Sequence, residues 1–351
     1  MKCRAIIAAA LLPSLLSCNK ILQQPSSPVV QRESVEKHEL RIDIGNLAPS
    51  TRASVIGDTS GIDNIQFYVY DISDTQPESP EYSAGPYGVL EFYTKVSGKA
   101  TSVTCEVTGG KKTIFALVNG KDYVPESLKK DFLQDVYSLP ENGGVGKVPM
   151  FGILADYDPS ADNYKVKIPV KHLFSIVKID KITFAPTDAI MKQTVMKAPK
   201  VNAMSLVNAG CKFDLFDLFQ YGKVNTEHIC NAPADVFKSA GKKYPCTFET
   251  GIDAAVNQSS YVYDTPHYFF CTPTVDTETQ ISILVNYDGF DRVNYYNVKL
   301  GKIDLNKIYE ISNLTIKGLG SDDPATILER ESLELSITIQ DYTVVSTEEE
   351  I

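Results

Sequence analysis

The most regular alternation in the chain lies at its end. Leu333, Leu335, Ile337 and Ile339 alternate with Glu334, Ser336, Thr338 and Gln340, the period of a strand with one apolar face. The phase slips at Gln340–Asp341, and Tyr342 and Val344 then carry the apolar contact. A one-residue slip turns the buried face over, so a bulge or a change of partner is expected there. The segment ahead of it, Gly318 to Pro324, offers little to pack and predicts a loose tether. Strand addition to an open sheet edge is an established mode of recognition, so such a tail can complete its own sheet or another's.

The same period recurs upstream. Glu39 to Leu47 places Leu40, Ile42 and Ile44 on one face and predicts a first strand, followed by a small-residue loop that carries Arg52 and Ala53. Strands are expected at 65–70, 103–107, 111–120, 150–154 and 164–170, and one long strand from Leu173 to Phe184. Further strands are expected at 268–271, 280–287, 294–300 and 308–316, after a less regular stretch from 186 to 262. Leu128, Phe132, Leu133 and Val136 have helical spacing, which predicts one helix over Pro125–Leu139. Many short strands with turn signals between them point to a mainly β fold of sandwiches rather than to βαβ units.

Composition refines this picture. With 351 residues the chain can hold two domains, and 43% hydrophobic with 22% charged residues is the balance of a folded protein. Tyr (19) and Phe (15) are plentiful while Trp is absent, a bias toward sheet. The net charge of −10 argues against nucleic acid as a partner. The first 17 residues read as an export signal, with Lys2 and Arg4 ahead of the short apolar run Ala5–Leu16. The run ends Leu15-Leu16-Ser17-Cys18, which resembles a bacterial lipobox and implies lipidation of Cys18. Asn19 to Lys37 reads as a polar spacer. Of seven cysteines, Cys105, Cys211, Cys230, Cys246 and Cys271 remain after Cys3 and Cys18 are set aside, an odd number that rules out complete pairing within one chain.

The sequence holds no recognisable catalytic constellation. His38, His172, His228 and His267 include no His-Glu-x-x-His pair. Gly143 to Lys147 lacks the first Gly and the Ser/Thr of a phosphate-binding loop, and Asp156, Asp158 and Asp162 lack the Gly and distal Glu of a calcium loop. No cofactor or metal is expected, and the chain does not read as an enzyme.

Taken in order, several pieces resemble the fimbrillins, the type V pilins of Bacteroidales. They are the lipobox, the first strand with its Arg52–Ala53 junction, Ile65–Tyr70, the Gly110–Asn119 strand with its following helix, His172–Phe184, Asn306–Ile311, and the closing Leu335–Val345. The resemblance spans most of the chain and implies two transthyretin-like β-sandwich domains with a few short helices. It implies a signal peptide (1–17), a lipidated spacer with a removable first strand (18–52), domains over 53–169 and 170–330, and a donor segment over 331–351. It further implies cleavage after Arg52 by an Arg-specific protease and polymerisation by donor-strand exchange. The donor residues would be Leu333, Leu335, Ile337, Ile339, Tyr342 and Val344. Some fimbrillins carry Trp where Tyr342 stands. The implied partners are other fimbrial subunits, the protease, the outer membrane through the lipid anchor of the precursor, and host or bacterial surface ligands. The presence of both Arg52 and a tail favours a shaft subunit over a tip or anchor. The alternative from another class is a monomeric glycan-binding surface lipoprotein, with Tyr295 and Tyr296 as candidate sugar-stacking residues, a pair that core packing explains as well.

Overall fold

Alternating apolar positions become strands wherever a second strand can satisfy their backbone groups, and a computed structural model shows which strands meet. It describes residues 36–45, 47–49, 62–72, 89–97, 100–122, 136–138, 149–210, 212–214, 229–230, 248–274, 277–328, 333–341 and 344–346. Cys18, Arg52, Ala53 and Tyr342 lie outside the described residues, as do the Gly143–Lys147 turn and most of the expected helix.

The first part of the chain forms β1 (Lys37–Gly45), β2 (Leu47–Pro49), β3 (Asn64–Asp71), β4 (Val89–Ser97), β5 (Ser102–Thr108), β6 (Lys112–Val118), β7 (Met150–Tyr157), β8 (Lys165–Pro169) and β9 (Lys171–His172). The second forms β10 (Ser175–Ile179), β11 (Ile182–Phe184), β12 (Lys200–Val207), β13 (Phe248–Ala255), β14 (Val262–Tyr263), β15 (His267–Cys271), β16 (Thr279–Tyr287), β17 (Phe290–Gly301) and β18 (Lys307–Ile316). The tail forms β19 (Leu333–Asp341) and β20 (Val344–Ser346). The fold is mainly β, as the alternation predicts. Among the described residues the helical content is a short turn at Pro159–Asp162 and a six-residue helix, α1 (Ala189–Thr194).

Two sheets cover the first hydrophobic cluster. One has the order β8-β1-β5, the other β9-β7-β6-β3-β4. Between them lie Leu40, Ile42, Ile44, Ile65, Phe67, Val69, Ile114, Ala116, Val166 and Ile168. A second cluster is built from β10 onward, under sheets ordered β14-β11-β18-β10-β15 and β13-β12-β16-β17. β19 adds to the free side of β18.

Two expectations need amending. The strand expected over Leu173–Phe184 is two collinear pieces, β10 and β11, that run parallel to β18 in one register, Ile179 beside Ile311 and Ile182 beside Leu314. Ladder bonds even continue across the gap, Asp180 N–H to Ile311 O at 2.9 Å and Leu314 N–H to Lys181 O at 3.0 Å. The end of the expected helix, Val136–Ser138, is instead a short strand paired antiparallel with Lys212–Asp214; tertiary pairing overrides helical spacing there. In the Asp156–Asp162 stretch, Asp158 caps the Pro159–Asp162 turn by accepting from Ser160 N–H, while Asp156 pairs with Lys111.

Candidate strand-exchange site

β1 is the middle strand of its sheet. It runs antiparallel to β5, with Leu40 opposite Cys105 and Ile42 opposite Val103. It runs parallel to β8, with Ile42 beside Val166 and Ile44 beside Ile168. Its backbone is bonded on both sides and beyond the ladder, Arg41 N–H to Tyr164 O at 2.8 Å and Ile44 N–H to Thr101 O at 2.9 Å. Leu40, Ile42 and Ile44 are 0%, 0% and 5% exposed. Each such burial is worth about 1.5–3 kcal/mol. The other face of β1 is solvated: Lys37 pairs with Glu106 and Arg41 with Asp43. His38 stacks on Tyr164 with ring centroids 4.4 Å apart. At Gly45 an added Cβ would lie 3.0 Å from Lys167 Cγ, so the slot is narrow at its end. Cys105, facing Leu40, is a free buried thiol whose pKa burial pushes up to about 12, with help from the Glu91 charge.

β19 has the same alternation but a different seat. It pairs antiparallel with β18 from Leu333 opposite Ile316 to Asp341 opposite Lys307. Its apolar face is graded: Leu333 is buried, Leu335 and Ile337 are half-buried against the second cluster, and Ile339 is 56% exposed. Beside it lies an open groove of about 940 Å³ lined by Val298, Ile327, Leu328, Leu333, Leu335 and Ile337. Charges fasten both ends of the strand, Lys317 with Glu334 and Lys307 with Asp341. The two lysines hold the Glu334 and Asp341 carboxyls below the usual carboxylate range. A bulge between Ile311 and Asn313 lies on the β18 side of the pair.

The phase slip after Gln340 coincides with a change of partner. β20, which contains Val344, pairs parallel with β2, Leu47 beside Val344 and Pro49 beside Ser346. The end of the tail therefore meets the segment that directly follows β1.

The Gly318–Pro324 tether is not loose. Arg292 Nη2 donates to Gly320 O at 2.6 Å, Tyr296 Oη to Gly318 O at 3.0 Å, and Asn297 Nδ2 to Pro324 O and Thr326 O at 2.9 and 2.7 Å. Ser321 forms a bridge with Tyr295, and a Cβ at Gly320 would meet Tyr295 O at 2.7 Å. The loop contributes few apolar side chains, but its carbonyls are satisfied by polar residues of β17. Tyr296 is fully buried and bonded to Tyr287 Oη at 2.6 Å, so it belongs to the core and not to a sugar-stacking surface.

The walls of the β1 slot, Cys105, Val107, Val166 and Ile168, were not singled out in the sequence. Both segments read as strands, but nothing local says that β1 lies between them. His172 is fully buried and holds Asn306 Oδ1 by its backbone N–H at 3.0 Å and by Nδ1 at 3.1 Å.

No protein-family model and no curated protein matches this chain. Solved structures do. A fimbrilin from Porphyromonas gingivalis W83 aligns over 88% of this chain and 98% of its own, at 15% identity and TM-score 0.59. A candidate cell adhesion protein from Parabacteroides distasonis aligns over 89% and 98%, at 11% identity and TM-score 0.57. Another from Bacteroides eggerthii aligns over 88% and 97%, at 16% identity and TM-score 0.53. The chain has the fold of these fimbrilin and adhesion proteins, the fold its sequence resemblance implies.

Proposed function

We propose that the protein is a structural subunit of a cell-surface fimbrium, without enzymatic activity. In this reading it is exported as a lipoprotein through Cys18, cut between Arg52 and Ala53, and polymerised by strand exchange. The observation that supports it most is the seat of β1: a central strand, with one face fully buried, that precedes Arg52 in the chain. β2 also precedes Arg52, so one cut separates both from the body. Loss of β1 empties the slot between β5 and β8, and loss of β2 removes the backbone partner of β20. A vacated apolar slot is costly in water. The tail from Leu333 to Val344 of a second subunit has the alternation to fill it, with Leu335, Ile337 and Ile339 in the places of Leu40, Ile42 and Ile44. Backbone pairing would add roughly 0.5–1.5 kcal/mol per hydrogen bond, against an ordering cost of ~1–2 kcal/mol per residue. Residues 53–169 and 170–330 serve as the two domains of the subunit, and possession of both Arg52 and a tail favours a shaft position over a tip or anchor. Its partners are other fimbrial subunits, the Arg-specific protease, the outer membrane before cleavage, and surface ligands of host or bacterial cells.

The test uses the purified precursor, treated with an Arg-specific protease and imaged by electron microscopy. Filaments are expected from the cut protein, and none from Arg52→Ala or from a chain lacking 331–351. Filaments from the tail-deleted chain would overturn the exchange. Mass spectrometry of the native surface form should find Ala53 as the first residue; a lipidated Cys18 on the polymerised protein would overturn the processing step.

A further inference from the structure

Where the end of β5 meets the start of β1, the sheet of β3, β4, β6 and β7 buries a cluster of charges. Lys112 opens β6, a strand buried along its whole length, and Lys112 itself is 0% exposed. Asp71 stands directly opposite it at the end of β3, with Oδ1 3.1 Å from Nζ. Glu91 lies on β4 at a register shift between Val69 and Tyr70, with Oε2 3.0 Å from the same nitrogen. That oxygen is buried and has no aligned hydrogen bond, so its approach to Nζ is a charge contact that leaves a lone pair unused. The other Glu91 oxygen accepts the Thr108 backbone N–H. Nζ donates to Thr108 Oγ1 at 2.8 Å and to Gly109 O at 3.3 Å, and the Thr108 hydroxyl donates to Asp71 Oδ2 at 3.3 Å. One amine is thus held between two carboxylates, on adjacent strands, where water has little access.

A buried ion pair of this kind adds little stability, because desolvation of the charges offsets their attraction. Condensing the pair removes two charges from an apolar site, which is favourable where water is excluded. Positional fixing of reacting groups is worth effective concentrations of about 10⁵–10⁸ M.

We propose that Lys112 and Asp71 are joined by an isopeptide bond that the folded protein forms itself, with Glu91 as the proton carrier. The ammonium gives one proton to the Asp71 carboxylate, leaving an amine and a carboxylic acid. Nζ attacks Asp71 Cγ while the Thr108 hydroxyl donates to the oxygen that gains charge. Glu91 Oε2 takes the second proton from nitrogen and passes it to the departing hydroxyl. The Cγ–O bond breaks, one water leaves, and the Nζ–Cγ amide remains. Nothing is oxidised or reduced, and Glu91 returns to its starting form. The product is a covalent link between β3 and β6 at the end of their ladder.

Intact-mass measurement of the full-length chain under denaturing conditions decides the matter. The expected mass falls short of the sequence mass by one water. Tryptic digestion should leave the chain uncut after Lys112 and yield a branched peptide joining Asp71 to Lys112. Glu91→Gln should restore the unmodified mass. Asp71→Asn should still form the link, with ammonia lost in place of water. A wild-type chain of full sequence mass, cut normally after Lys112, overturns the bond, and this readout does not depend on any variant folding. Loss of water that persists in Glu91→Gln overturns the role given to Glu91.

Discussion

β1 and β19 are near copies as sequence and opposites as structure. Each alternates aliphatic and polar residues, Leu40-Arg-Ile-Asp-Ile44 in one and Leu335-Ser-Ile-Thr-Ile339 in the other. β1 has a strand on either side, and its three aliphatics have almost no exposure. β19 has β18 on one side only among the described residues, and its aliphatics grade from buried Leu333 to Ile339 at 56% exposed. The difference teaches that alternation specifies a strand, while the number of neighbours specifies how firmly it is held. A strand bonded on one edge is the cheaper one to move.

That contrast can be broken most sharply at matched positions. Ile42→Ala should cost about 2–5 kcal/mol in urea unfolding of the precursor, as for other buried aliphatic deletions. Ile339→Ala, measured the same way, should stay within about 0.5 kcal/mol, as for surface changes. Equal costs would end the distinction between the two seats. The next effect in size concerns the tether. Asn297→Ala leaves the Pro324 and Thr326 carbonyls without their donor and should cost about 1–3 kcal/mol. Limited proteolysis should then find new cleavage in 318–328, whereas a merely loose tether would already be cut in the wild type.

The smallest effect is that of pH. The Glu334 and Asp341 carboxyls are held low by Lys317 and Lys307. Their contribution to seating β19 is complete above the ordinary carboxylate range and fades as pH falls through the depressed folded values. Hydrogen exchange should therefore show β19 amides losing protection on acidification while β1 amides, which owe little to charge, keep theirs. Simultaneous loss in both strands would show that the end charges play no part.

Much of this was legible in the sequence, for a physical reason. Period-2 patterns are local, so β1, β3, β16, β18 and β19 could be read directly, and the slip after Gln340 marked a real change of partner from β18 to β2. Seats are not local. Nothing near Leu40 announces that β5 and β8 will flank it, and nothing near Ile339 announces that it will be left uncovered. The tether was misread because the loop was judged by its own apolar content, while its anchors are Arg292, Tyr296 and Asn297 on another strand. Tyr296 takes the core-packing reading that the sequence left open: an aromatic pair in sequence does not reveal which ring points inward. The Lys112 cluster was hidden for a related reason, since Asp71 and Glu91 reach Lys112 only through strand pairing and a register shift.

The two walls around β1 are unlike: β8 runs with it and β5 runs against it. Parallel and antiparallel borders demand different hydrogen-bond spacings, so a segment laid in backwards would match neither wall. Any replacement must point the way β1 points. Units joined through such a one-way socket form a heterologous, head-to-tail chain that need not close on itself, and its two ends are chemically distinct from the first link onward.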